Sequence, residues 1–322
     1  MTAKTHKRSF GRKLWLQRGL ILMSVPLLLH RILFSYVPLA GWTIAFQDFR
    51  PRFGLSPIQQ ILQNEFVGLD NFKRLLDGAS IIGERFLLSV RNTIGQSLLT
   101  LVLGYVCAIT LSLLLNEITK SIPKKIIQNI LYLPHFLSWV IVAGLASTAL
   151  AMPGSGGIIN EILMSVGILK EPIHFLANPN SFWNVVAGTH LWKTLGWNTI
   201  IYLAAMTTID PTLYEAAAID GANRYQKMWH VTLPCIRPTI IILLIMSTGW
   251  LLTSGFEIQW FLGNGLNVTH SENIDIFVLR YGIEMNNFGL ATAAGIFRTG
   301  VSIFLLTMVN FIAGRLGQEK LF

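Results

Sequence analysis

The sequence is poor in charge and in cysteine, and it carries no common nucleotide or catalytic signature. Only 13% of its 322 residues are charged, about half the share of a typical soluble domain. The missing charge is uneven, because stretches of about 20 residues hold almost none. That excludes a water-soluble enzyme as well as a disordered or fibrous chain. Two cysteines, Cys107 and Cys235, do not make a disulfide framework in so long a chain. No lysine follows a glycine, so a Walker A phosphate loop is absent. HExxH, GxSxG and CxxC are missing too, and the seven histidines (His6, His30, His135, His174, His190, His230, His270) lie scattered without ligand spacing. No internal repeat or low-complexity segment is visible. A chain of this kind moves something rather than transforming it, and any ATP it uses must be bound by another chain.

What the sequence does have is apolar length. Six runs can cross about 30 Å of hydrocarbon: roughly 20–42, 93–115, 127–150, 182–206, 238–255 and 288–313. Each must be helical, since a segment in lipid satisfies its backbone hydrogen bonds internally. The expected fold is therefore all-α, a single membrane domain over 19–313 with a basic leader at 1–18 and a tail at 314–322. The first run has a basic leader like a signal peptide, but its apolar character continues past His30 and Arg31 without a small-residue cleavage site, so an uncleaved span is expected.

Lysine and arginine set the orientation. Residues 1–18 hold Lys4, Lys7, Arg8, Arg12, Lys13 and Arg18; 116–126 adds Lys120, Lys124 and Lys125; 207–237 adds Arg224, Lys227 and Arg237; the tail adds Arg315 and Lys320. The opposite face has only Lys170 in 153–181 and Arg280 in 256–288. The segment 43–92 dissents with six basic residues, but it is long enough for the rule to weaken. Both termini are expected to be cytoplasmic. The net charge of +9 sits at the ends of apolar runs, so it marks topology rather than nucleic-acid binding. The 43–92 segment, with short amphipathic turns at Gln59–Phe66 and Asp70–Leu76, is expected to form an outer cap.

The most informative stretch is Asp210-Pro-Thr-Leu-Tyr-Glu-Ala-Ala-Ala-Ile-Asp-Gly-Ala-Asn-Arg-Tyr-Gln-Lys-Met-Trp-His-Val-Thr-Leu-Pro234. Asp210 is a good N-cap and Pro211 a good first helical residue. Gly221 can take the left-handed conformation that ends the helix. A second helix with Tyr225, Met228 and Trp229 on one face is expected to close at Pro234 before span five. Three alanines beside one glutamate make a thin helix able to enter a groove closely. An ordinary amphipathic loop helix would have the same local features.

The segment resembles the EAA loop of ATP-binding-cassette importer permeases. That pattern is EAA, three residues, Gly, nine residues, Ile, one residue, Leu-Pro; here it is Glu215, Ala216, Ala217, Gly221, Val231, Leu233 and Pro234, with only the Ile position changed. Val67-Gly-Leu-Asp-Asn-Phe72 and Asn92-Thr93 resemble the sugar-importing, maltose-type permeases. Tyr132–Gly144, Ser155-Gly-Gly-Ile-Ile-Asn160 and Leu191-Trp-Lys-Thr-Leu-Gly-Trp-Asn198 are similar to its polysaccharide-permease branch, and within it to an alginate-type permease.

The resemblance implies a non-catalytic subunit of the bacterial inner membrane, one half of an alternating-access pathway. Its partners would be a second, different permease, two cytoplasmic ATPase subunits that bind ATP and Mg, and an external solute-binding protein that delivers a saccharide. Glu215, Ala216, Ala217 and Gly221 would form the coupling helix in a cleft of one ATPase. Val231, Leu233 and Pro234 would set the angle at which span five enters the membrane. No cofactor or metal is expected in this chain itself.

Three cations lie inside apolar runs, where a charge needs water, a partner or a pathway. Arg31 has no obvious partner. Lys193 lies among Trp192, Trp197 and Asn198, whose indoles and amide suit sugar rings; snorkelling to the interface is its structural alternative. Arg298 lies mid-span, where snorkelling is harder, and Glu257 is a candidate partner for either base. Trp250, Trp260 and Tyr202 could line a sugar route or belong to the interfacial belt. Among rival functions, an ion-coupled carrier would need intramembrane acids, and the six runs contain no Asp or Glu. A membrane receptor or assembly protein would not need the EAA segment.

Overall fold

A computed structural model describes residues 17–155, 157–253, 255–315 and 317. The basic residues expected at 4–13 and Lys320 lie outside the described residues.

Among the described residues the helices are joined by turns and loops, and the strands are one pair of two residues each. Helix α1 (Arg18–Arg31) continues through a π turn and a 3-10 segment to Phe46 as one 29-residue element. None of α1 itself is buried, and only its continuation from Val37 packs against the last helix. Strand β1 (Gln47–Asp48) pairs antiparallel with β2 (Glu65–Phe66) around helix α2 (Pro57–Gln63). Helix α2 opens with a capping box: Ser56 Oγ accepts from Gln59 N and Gln59 Oε1 from Ser56 N. Helix α3 (Asp70–Leu76) follows, so the first of the two short turns begins earlier than its sequence suggested and ends in a strand.

Helix α4 (Ile81–Asn116) has 36 residues, about 54 Å at 1.5 Å each, and extends well beyond the expected span. Next come α5 (Ser121–Tyr132), α6 (Trp139–Ala149), α7 (Ile158–Ser165) and α8 (Pro179–Met206). After these are α9 (Pro211–Ile219), α10 (Arg224–Lys227) and α11 (Leu233–Gly249). Three short helices, α12 (Phe256–Leu262), α13 (Val268–Ser271) and α14 (Ile274–Phe277), lead to α15 (Phe288–Arg315).

Three expectations about the spans change. The third is not a straight helix: α5, prolonged by a 3-10 turn to Phe136, meets α6 at 103°. Pro134 lies in that turn, and Leu137 and Ser138 are extended, so the ladder stops there. The fifth span is longer and starts earlier. Pro234 does not close the helix before it; α10 runs through a π turn at Met228–Thr232 into α11 as one 26-residue helix. The wider turn directly before Pro234 accommodates the missing N–H and the ring. The fourth, α8, has the length of a span but is too polar to count as one by composition, unlike the other single-helix spans. Ten of its residues are buried. It packs against α4, α5, α6, α11 and α13.

The core is three patches. Phe86 of α4, Phe277 of α14 and Leu290 of α15 join Ala45 in one. Val142 of α6, Phe182 of α8 and Ile258 of α12 form the second. Ala108 of α4, Tyr202 of α8 and Ile236 of α11 form the third. Long exposed apolar faces on α1, α4 and α15 complete the membrane character.

Candidate functional site

Two places are candidate sites: the loop 207–237, and the space between α4, α8 and α11. In the loop, Asp210 caps α9 by accepting a hydrogen bond from Thr212 N at 2.9 Å. That bond holds the exposed Asp210 carboxyl below its ordinary pKa. At the other end Gly221 adopts φ +78°, Ala222 N donates to Ala217 O at 2.9 Å and Gly221 N to Ala218 O at 3.1 Å. This is a left-handed helix stop that a side chain would strain. No residue of α9 is buried. Its open surface carries Leu213, Glu215, Ala216 and Ile219, one carboxylate set among small and aliphatic groups. Tyr214 Oη lies 2.9 Å from Thr232 Oγ1 and ties α9 to the π turn that leads into α11. Val231 and Leu233 are half-buried beside it, and Pro234 is exposed.

Between α4, α8 and α11 lies a cavity of about 390 Å³. Its polar lining comes from Ser97, Thr100 and Tyr105 on α4, His190, Thr194, Asn198 and Tyr202 on α8, and Ser247 on α11. Tyr105 Oη and Ser247 Oγ are 2.9 Å apart, so the α4 and α11 walls are hydrogen-bonded across it. Trp250 and Met246 border this cavity and also a second one of about 410 Å³, which Arg298 lines with Thr253, Thr299 and Ser302. A short-range array of hydroxyls and an amide beside an indole suits a polyol with apolar ring faces.

One mouth of this bundle is stitched by backbone contacts. Asn92 Nδ2 donates to Thr269 O (3.0 Å) and Glu272 O (2.9 Å), and Ile274 N donates to Thr93 Oγ1 (3.0 Å). Trp183 Nε1 donates to His270 O at 3.0 Å. Asn92 and Thr93 thus clamp the segment 269–274 onto α4. Glu272, 3.7 Å from Arg280, is buried, and burial pushes its carboxyl up from the ordinary 4.5 against the pull of Arg280 and Arg85.

Residues 100–318 match the family described as the binding-protein-dependent transport system inner membrane component. This chain belongs to that family. The polygalacturonan/rhamnogalacturonan transport system permease protein YteP of Bacillus subtilis (strain 168) is 40% identical over 310 residues, 96% of this chain and 92% of that one. The trehalose/maltose transport system permease protein MalF of Thermococcus litoralis is 28% identical over 92% of this chain and 94% of that one. Among solved structures, a bacterial alginate ABC transporter in complex with an alginate pentasaccharide-bound periplasmic protein contains a chain with TM-score 0.85 and 32% identity. The match covers 97% of this chain and 99% of that chain. A second crystal structure, of a bacterial ABC transporter involved in import of the acidic polysaccharide alginate, matches with TM-score 0.81 at 33% identity over 94% and 98%.

In this permease the residues singled out by sequence separate into different settings. Asn198 and Trp250 line the 390 Å³ cavity, as does Tyr202, which meets Tyr105 edge-on at 6.5 Å. Trp192 lines a third, apolar cavity between α6 and α8. Trp197 stacks on His135 with centroids 4.5 Å apart. Lys193 is buried, and its Nζ donates to His135 O (2.7 Å) and Leu137 O (2.5 Å) at the 103° bend, with Trp139 5.1 Å away. Arg31 Nη1 donates to Ser35 Oγ at 3.3 Å, in the π turn that continues α1. Arg298 pairs with Asp275 rather than with Glu257, and Trp260 lies under the Arg280 guanidinium at 6.0 Å. Sequence reasoning missed Asp275, Tyr105, Ser247 and the Glu272–Arg280 pair. The only available hint was that α14 holds a carboxylate between apolar residues.

Proposed function

We propose that this chain is one permease subunit of an ATP-driven importer of an acidic oligo- or polysaccharide, working beside a second, different permease. Two cytoplasmic ATPase subunits supply ATP and Mg binding, an external binding protein delivers the cargo, and both termini face the cytoplasm. The cavity between α4, α8 and α11 carries the reading: it sets hydroxyls and Asn198 together between the helices beside the exposed indole of Trp250, and a guanidinium lines the adjoining cavity. The alginate and polygalacturonan names of its relatives supply the acidic class. The exposed α9, with Glu215 beside small residues, would seat in an ATPase cleft, Glu215 binding a basic group there by charge-assisted hydrogen bonds. Closure of the ATPase pair would move α9 and, through Tyr214 and Thr232, the start of α11.

The test is ATP hydrolysis by the reconstituted complex with its binding protein, titrated with neutral and uronic oligosaccharides. Uronic stimulation is expected, and Glu215→Ala should lose it while the complex still assembles. Stimulation by neutral sugars alone would refute the acidic cargo; flat hydrolysis by an assembled complex would refute the saccharide.

A further inference from the structure

Arg298 lies well inside α15, and its guanidinium meets a carboxylate that comes from a different element, Asp275 of α14. The two side chains are only 26% and 25% exposed. Arg298 also faces the 410 Å³ cavity, where Thr253 and Thr299 add hydroxyls and the buried Ser302 Oγ has no hydrogen-bond partner among the described residues. That cavity shares Trp250 and Met246 with the 390 Å³ cavity, so the cation stands one side chain away from the space assigned to the cargo. A guanidinium offers five donors in a planar fork suited to a carboxylate of any origin.

We infer that Asp275 is a built-in stand-in for a cargo carboxylate, which holds Arg298 between transport events and is displaced by a uronate. This rests on the acidic-cargo reading above. The exchange keeps a carboxylate on Arg298 throughout and so avoids a bare cation inside the bundle, and the freed Asp275 takes up a proton, which leaves the net charge of the site unchanged. Asp275 is suited to accept that proton once it leaves Arg298. Burial raises its carboxyl above the ordinary pKa, and the nearby Glu257 acts in the same direction, both against the pull of Arg298. Arg298 would therefore set the preference for acidic over neutral cargo, and Asp275 would set the concentration at which acidic cargo engages.

The experiment uses the full complex with its binding protein and a uronate tetrasaccharide, with a neutral hexose tetrasaccharide in parallel. Where an internal competitor leaves about a tenth of the sites open, removing it lowers the half-saturating ligand concentration about tenfold. Asp275→Asn is expected to do this for uronate-stimulated ATP hydrolysis and to leave any neutral-sugar response where it was. The charge-swapped double variant, Asp275→Arg with Arg298→Asp, restores the pair and is expected to assemble normally yet lose the uronate response. Wild-type stimulation by uronate with unchanged half-saturation in Asp275→Asn would overturn the inference alone. So would a swapped variant that still responds like wild type, since the pair would then be only a brace. A wild-type complex that ignores uronate would overturn the acidic-cargo reading and the inference with it.

Discussion

Replacing Lys193 by methionine tests how a broken span survives in lipid. The substitution keeps most of the side-chain volume and removes the ammonium. At the bend the helical ladder stops, and hydrocarbon offers its free carbonyls nothing. Two of those carbonyls, on His135 and Leu137, accept from Lys193 Nζ at 2.7 and 2.5 Å. Without it each is left part-buried and unpaired, at about 1–3 kcal/mol, or roughly 2–6 kcal/mol for both. The lost cation–π contact with Trp139, 5.1 Å away, adds about 0.5–2 kcal/mol. Against these stands the desolvation of a nearly buried ammonium, which the variant no longer bears. The balance is a loss of about 2–4 kcal/mol.

At about 2–4 °C per kcal/mol for a chain of this order of size, the melting temperature of the solubilised complex should drop by about 5–10 °C. Spin labels at the exposed Ile130 and Leu145, on either side of the bend, should report a broader distance distribution. The exposed Lys170 is the control, and Lys170→Met should change neither reading. An unchanged melting temperature together with an unchanged distance distribution would show that Lys193 does not hold the bend.

Two further outcomes follow from local geometry. A Cβ on Gly196 would stand 2.1 Å from Leu131 O, so Gly196→Ala must push α5 off α8 and should cost about 1–3 kcal/mol; Gly144, with nothing within 4 Å, is the matched control, and equal melting temperatures for the two alanine variants would contradict the close approach. Glu272 has a folded pKa raised above its ordinary 4.5, so its contribution is fully present below pH 4.5 and is lost as pH rises through the folded value. Glu272→Gln should flatten that part of the melting-temperature profile, while the partly exposed Arg280 rehydrates at about 0–1 kcal/mol. An identical pH profile in the variant would rule out Glu272 as the source.

The helical class and the α9 loop were legible because they depend on local chemistry. Asp210, Pro211 and Gly221 each signal one end of a short helix, and each does what its type predicts. Apolar runs announce the lipid-facing helices, whereas the polar α8 was legible by length and its packing partners were not. The bend at residue 137 was hidden because its fastening lies 56 positions away in Lys193. Asp275 was hidden for the same reason: it acts on a guanidinium 23 positions further on, and a lone acid between apolar neighbours looks like any helix-start residue. The closure at Pro234 failed because proline ends a regular α-helix, but a π turn placed directly before it lets the helix continue.

That continuation matters mechanically. Arg224 to Gly249 is a single helix of 26 residues, about 39 Å long. One end is tied to α9 through Tyr214 and Thr232; the other holds Ser247, bonded to Tyr105 across the cavity. Had Pro234 broken the helix, a push on α9 would have been absorbed in a flexible joint before reaching the cavity wall. With the helix continuous, its compliant points are the π turn and Pro238, which lacks the N–H that the ladder inside α11 would use. The π turn ends at Thr232, whose hydroxyl is hydrogen-bonded to that of Tyr214. In the proposed coupling, motion of α9 would reach Ser247 through one continuous helix with two compliant points, the π turn at its driven side and Pro238 nearer the cavity.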